Sequence, residues 1–87
     1  MPYRIELARK ARKFLVSLPD KTLRARLKEG IDRLAKDARP PGCLKMKGEE
    51  GFYRVRVGDY RIIYQIQDTV LVVLVVQIGN RREIYRK

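Results

Sequence analysis

The sequence predicts an α+β fold ordered β-α-α-β-β-β-β, a twisted, mostly antiparallel sheet with a two-helix hairpin packed on one face. Three observations predict it. Apolar residues recur at helical spacing from Ala8 to Leu34, interrupted by Pro19. Alternation of period two then takes over in Leu44–Lys47 and across Phe52–Tyr64. The run Val70–Val76, apolar at every position, has the pattern of a central strand covered on both faces.

Taken in order, Tyr3-Arg4-Ile5-Glu6-Leu7 alternates and predicts a short first strand with Tyr3, Ile5 and Leu7 facing inward. Ala8, Ala11, Phe14 or Leu15, and Leu18 then share one side of a helix that Pro19 ends. Asp20 is a good N-cap for the next helix, whose stripe is Leu23, Leu27, Ile31 and Leu34. Arg39-Pro40-Pro41-Gly42 breaks it. Leu44–Lys47 reads as a second strand, and Gly48–Gly51 as a polar turn. In FYRVRVGDYRIIY, Phe52–Tyr64, two alternating runs flank Gly58-Asp59, which predicts a hairpin with a two-residue turn. Asp68-Thr69 offers another tight turn before Val70–Val76, and Gly79-Asn80 interrupts that last strand.

The hairpin fixes the first functional clue. A two-residue turn pairs Val57 with Tyr60, Arg56 with Arg61, Val55 with Ile62 and Tyr53 with Tyr64. One face is then apolar, and by parity Tyr53, Tyr60 and Tyr64 belong to packing. The other sets Arg56 against Arg61, with Arg54 one pleat away. Opposed like charges destabilise a sheet by a few tenths to about 1 kcal/mol. Three guanidinium groups gathered despite that cost point to a bound anion, and a polyanion is the obvious ligand. The bland alternative is a solvated basic face, against which the opposed pair argues.

Composition narrows the chemistry. With 87 residues the chain has room for one core, so residues 1–87 read as a single domain. Lys and Arg number 21 against 10 Asp and Glu, a formal charge of +11, which fits a negative partner. Cys43 is the only cysteine, so no internal disulfide forms, as suits a reducing compartment. There is no histidine, which excludes histidine proton transfer and any histidine metal site; a zinc site is not expected, and no cofactor is implied. The longest apolar run falls far short of the roughly 20 residues that span a bilayer. A soluble, cytoplasmic protein is the expectation.

Arginine neutralises phosphate and stabilises a charged transition state but is a poor general base. Tyrosine serves as base when cations favour its phenolate. This set suits one metal-free reaction, attack of an RNA 2′-hydroxyl on its own adjacent phosphate, because the nucleophile is already tethered. Tyr85 lies in a basic tail with Arg81, Arg82 and Arg86. Lys45 and Lys47 serve as RNA contacts or as lysines guarding an edge strand. Helix charges such as Arg9, Arg12, Lys13, Arg24, Lys28, Arg33 and Lys36 read as solvated faces, or as sequence-independent backbone contacts if the ligand is large.

These residues carry a resemblance. The segment LKMKGEEGFYRVRVGDYRIIYQI (Leu44–Ile66), the apolar strand after it and the ending IGNRREIY (Ile78–Tyr85) resemble the RelE-type toxins of the RelE/ParE superfamily of toxin–antitoxin pairs. The resemblance covers nearly the whole chain. It implies a RelE/ParE-like fold and metal-independent cleavage of mRNA codons in the ribosomal A site. It implies a ribosome carrying mRNA and an acidic RelB-like antitoxin as partners. Carried over by position, Arg54, Arg56 and Arg61 stabilise the phosphate and transition state, Arg81 the leaving 5′-oxygen, and Tyr85 orients or deprotonates the 2′-hydroxyl. Lys45, Lys47, Arg82 and Arg86 would bind RNA.

The chain departs from the pattern in three places. The best-known members carry lysine where Arg54 and Arg56 stand, and arginine cannot become a neutral base. Many relatives have histidine in place of Asn80. Some continue past the terminal tyrosine into a helix, whereas this sequence stops at Lys87, which would leave an apolar sheet surface for an antitoxin segment. Two rivals share the fold or the charge: a ParE-like toxin that inhibits DNA gyrase, and a non-catalytic basic RNA-binding domain.

Overall fold

The structure, a computed structural model, describes residues 2–48 and 50–80. The elements are β1 (Arg4–Leu7), α1 (Arg9–Ser17), α2 (Lys21–Lys36), β2 (Leu44–Lys45), β3 (Phe52–Val57), β4 (Tyr60–Gln67) and β5 (Val72–Asn80). They follow the expected order. The strands form one five-stranded sheet in the order β1-β5-β4-β3-β2. Three of its pairings are antiparallel. The fourth is parallel, with Ile5 beside Val73 and Leu7 beside Val75, so the sheet is mixed. This places apolar β5 in the interior of the sheet, hydrogen-bonded along both edges.

Each helix is bounded by its own sequence. α1 stops at Leu18, whose position before Pro19 disfavours helical backbone. Asp20 caps α2: its carboxylate accepts the Leu23 N–H at 3.1 Å. Arg33 and Lys36 in the last turn oppose the negative end of the helix dipole. The stripe lands as spaced, with Ala11, Leu27, Ile31 and Leu34 buried against Ile62, Tyr64, Ile66, Val73, Val75 and Ile78 of the sheet. Burying a side chain such as Leu27 or Ile62 contributes about 1.5–3 kcal/mol. Tyr3, Ile5 and Leu7 pack against the same core, as do Tyr53 and Tyr60.

The core needs a fault in β5. Between Ile63 and Tyr64 the register with β5 shifts, from Gln77 to Val75. Val76 is left over as a bulge residue, which reverses the parity of the strand. Val73, Val75 and Ile78 therefore all face the helices, although a regular strand would turn Ile78 away.

Three boundaries differ from expectation. β5 begins at Val72, not Val70. The connection from β4 is a turn over residues 68–71 in place of a two-residue one. Leu71 takes a left-handed conformation (φ 54°) within it and Val70 is left exposed. The reason is tertiary. The Asp68 carboxylate accepts hydrogen bonds from the Tyr3 hydroxyl and, at 3.1 Å, from the Arg39 guanidinium. Arg39 also donates to the Tyr53 hydroxyl at 3.2 Å and lies over its ring. This network ties the turn to the start of β1, the end of α2 and β3. β5 also runs on through Gly79 and Asn80, because both pair with β4. β2 is only two residues long, leaving Met46 and Lys47 outside it.

Candidate phosphate-binding site

The hairpin of β3 and β4 builds the site. Its register is the one the alternation predicts: Val57 pairs with Tyr60, Arg56 with Arg61, Val55 with Ile62 and Tyr53 with Tyr64. At the turn only Gly58 has positive φ, 59°, the pattern of a type II′ turn with glycine first. In such a turn Val57 and Tyr60 form the hydrogen-bonded pair. Arg56 and Arg61 then form a non-hydrogen-bonded pair, whose Cα atoms sit about 4.5 Å apart.

The apolar side of the hairpin is locked down. Tyr64 is fully buried, donates to the Ala38 carbonyl at 2.9 Å and stacks on Tyr53. Burial first, and then neighbouring Cys43, push the Tyr64 phenol well above its ordinary range, so it stays protonated. Tyr60 packs on Phe14 with centroids 5.9 Å apart. With these side chains fixed, the arginines have one face left to them.

On that face the three are not equivalent. Arg54 and Arg61 are half-buried, and their Nε atoms are withdrawn from solvent. A charge in that setting is less screened and pulls harder on an anion. Arg56 is exposed, and its Nε donates to the Gly58 carbonyl at 3.0 Å. That bond draws Arg56 toward the turn and eases its repulsion with Arg61. Gly79 stands opposite Arg61 and adds no side chain there, and Asn80 stands opposite Tyr60. The described part of β5 thus ends beside the turn.

The other expected residues fall into two groups. Arg81, Arg82, Tyr85 and Arg86 lie outside the described residues. Lys45 and Lys47 are exposed near the far end of β3. Lys45 pairs with Tyr53 and so shares the face opposite the arginines, while Leu44, beside Arg54, is the exposed apolar residue on the arginine face. One neighbour was not singled out from the sequence: Arg26 of α2. Its guanidinium lies 3.6 Å from where a Cβ on Gly58 would sit. The available signal was Gly30, an unexplained glycine inside a helix.

Residues 5–85 match the family described as "ParE toxin of type II toxin-antitoxin system, parDE". The chain belongs to this family. Among curated relatives, Toxin RelG of Mycobacterium tuberculosis is 29% identical over 87 residues, all of both chains. Among solved structures, RelE in the archaeal RelE–RelB complex of Pyrococcus horikoshii is 30% identical with a TM-score of 0.81, covering all of both chains. The E. coli RelBE toxin–antitoxin complex gives 26% identity and a TM-score of 0.78, over 90% of this chain and 95% of that one. The protein is thus a type II toxin of the RelE/ParE superfamily, with the superfamily's two helices and five-stranded mixed sheet. Among the described residues of this toxin, no helix is long and apolar enough to cross a membrane.

Proposed function

We propose that this toxin is an endoribonuclease that cuts mRNA in the ribosomal A site without a metal ion. The observation that carries the reading is the opposed Arg56–Arg61 pair with Arg54 one pleat away. It concentrates positive charge where a scissile phosphate would sit. In the reaction the RNA 2′-oxygen attacks its own 3′-phosphorus, and the bond to the 5′-oxygen of the next nucleotide breaks. The products are a 2′,3′-cyclic phosphate and a free 5′-hydroxyl. Charge builds on the phosphorane oxygens, where Arg54, Arg56 and Arg61 act most strongly. Tyr85 orients the 2′-hydroxyl or takes its proton, and Arg81 stabilises the leaving oxygen. Lys47, Arg82 and Arg86 contact the RNA backbone, Lys45 on the opposite face guards the edge strand, and residues 1–87 act as one domain.

The partners follow from charge and likeness. A formal charge of +11 favours ribosomal RNA and an acidic antitoxin, and several similar structures are RelE–RelB complexes. The setting for both is the cytoplasm. A second reading, inhibition of DNA gyrase by protein contact, has one observation in its favour: the matching family is described as ParE. It does not require the Arg54, Arg56, Arg61, Arg81 and Tyr85 set to be complete. The nuclease reading is tested by Arg61→Ala and Tyr85→Phe. Each should cut less while still binding ribosomes; equal loss of binding and cleavage would remove these residues from the chemical step.

A further inference from the structure

α2 crosses the sheet so that its middle meets the tip of the β3–β4 hairpin. Gly30 is what permits the approach: a Cβ there would stand 2.9 Å from Cγ2 of Val57. Around this contact lies an open cleft of about 250 Å³, lined by Arg26, Glu29, Gly30, Arg33, Arg56 and Gly58. Arg26 reaches over Gly58, whose bare α-carbon leaves room for the guanidinium. Arg56 reaches the same place from the strand, held by its bond to the Gly58 carbonyl. Arg33 is steered by Glu29, one turn away, through an exposed ion pair of 3.4 Å. Three guanidiniums therefore face one carboxylate, which leaves the cleft cationic.

We propose that this cleft is a second phosphate subsite, holding the sugar–phosphate backbone of the same single-stranded RNA next to the phosphate on the arginine face. It rests on the nuclease reading and adds to it the path of the strand. Arg56 is the link, since it belongs to the opposed pair and also lines the cleft. The strand leaves the Arg54–Arg61 face, passes the hairpin tip and meets Arg26 and Arg33 of α2. Contacts to phosphate position a strand without reading its bases, so the subsite sets register and affinity and leaves codon choice to other groups.

The test uses the full chain and RNA that cannot be cleaved because its 2′-hydroxyls are methylated. Binding of a dinucleotide, with one internucleotide phosphate, and of a nonanucleotide is measured across a salt series. Arg26→Ala and Arg33→Ala should each weaken nonanucleotide binding roughly three- to tenfold. Each should flatten the salt dependence by about 0.7 in log–log slope, as loss of one single-strand phosphate contact requires. Dinucleotide binding should change by less than about twofold, and Arg26→Lys should keep the slope. Arg9→Ala on α1, outside the cleft, controls for loss of charge alone. The subsite is overturned if the cleft variants match wild type, if Arg9→Ala weakens binding as much, or if the dinucleotide suffers equally. A wild type that binds neither RNA overturns the subsite alone, because the nuclease reading requires RNA binding only on the ribosome; absence of A-site cleavage on ribosomes overturns both. A wild type that cleaves RNA while the cleft variants bind like it overturns the subsite alone.

Discussion

At the residue scale, the arginine face of the hairpin was legible because its logic is a parity rule. Alternation in FYRVRV and YRIIY, with Gly58-Asp59 between them, puts Arg56 opposite Arg61 with no tertiary information, and the register bears that out. What parity could not reveal is where each guanidinium goes. Arg56 bends to the Gly58 carbonyl while Arg54 and Arg61 stay half-buried. Arg61 is therefore better placed than Arg56 to meet an anion in a poorly screened setting. Arg61→Ala should lower mRNA cleavage by about 10²- to 10³-fold, the cost of one donor to a developing oxyanion. Single-turnover cleavage in a translation system measures this, and an unchanged rate would contradict it. Asp68 gives a prediction about stability. Hydrogen bonds from Tyr3 and then Arg39 hold its carboxyl below the usual range. The folded state thus binds that proton less readily than the unfolded chain. The stabilisation is present above the ordinary carboxylate pKa of about 3.9 and lost as pH falls through the lower folded value. Asp68→Asn should melt lower than wild type at neutral pH, and the two melting curves should converge in acid. A gap that stays constant from pH 7 to strong acid would show that the network contributes nothing through Asp68's charge.

At the element scale, local signals worked and long-range ones did not. The Asp20 cap, the stop before Pro19 and the stripe Leu27, Ile31 and Leu34 are written within a few residues of where they act. The parallel partner of β1 is not, because Ile5 and Val73 meet only after the rest of the sheet is in place. The bulge at Val76 was equally hidden: an all-apolar run has no alternation in which a lost step could be seen. The turn at residues 68–71 was misread because its shape depends on Tyr3 and Arg39, far away in sequence. Gly30 is the element-scale feature with the clearest consequence. Alanine there gains up to about 1 kcal/mol of helix propensity. It also meets Val57 at 2.9 Å, a stiff β-branched side chain that cannot swing aside. Overpacking costs about 1–3 kcal/mol, so Gly30→Ala should be net destabilising by about 1 kcal/mol. Adding Val57→Ala should recover part of that loss. Denaturant titration of both variants decides it; a Gly30→Ala protein more stable than wild type would show that α2 has room to spare.

At the scale of the whole molecule, a small basic chain joins an apolar core to one arginine-lined face. The core is shared by both helices and the sheet, so the hairpin that carries Arg54, Arg56 and Arg61 is held along one whole side. In the proposed function the formal charge of +11 supplies attraction to RNA over a distance, and the opposed arginines supply the local field. Charge and composition pointed to a polyanionic partner from the sequence alone; the proposed route of the strand across α2 needed the fold. The central claim is that this toxin cuts mRNA on the ribosome. Primer extension on an mRNA in a reconstituted translation system, with and without ribosomes, tests it most directly. The account predicts breaks inside A-site codons only when ribosomes are present. Growth arrest in cells together with intact mRNA in that assay would contradict it and point to gyrase as the target.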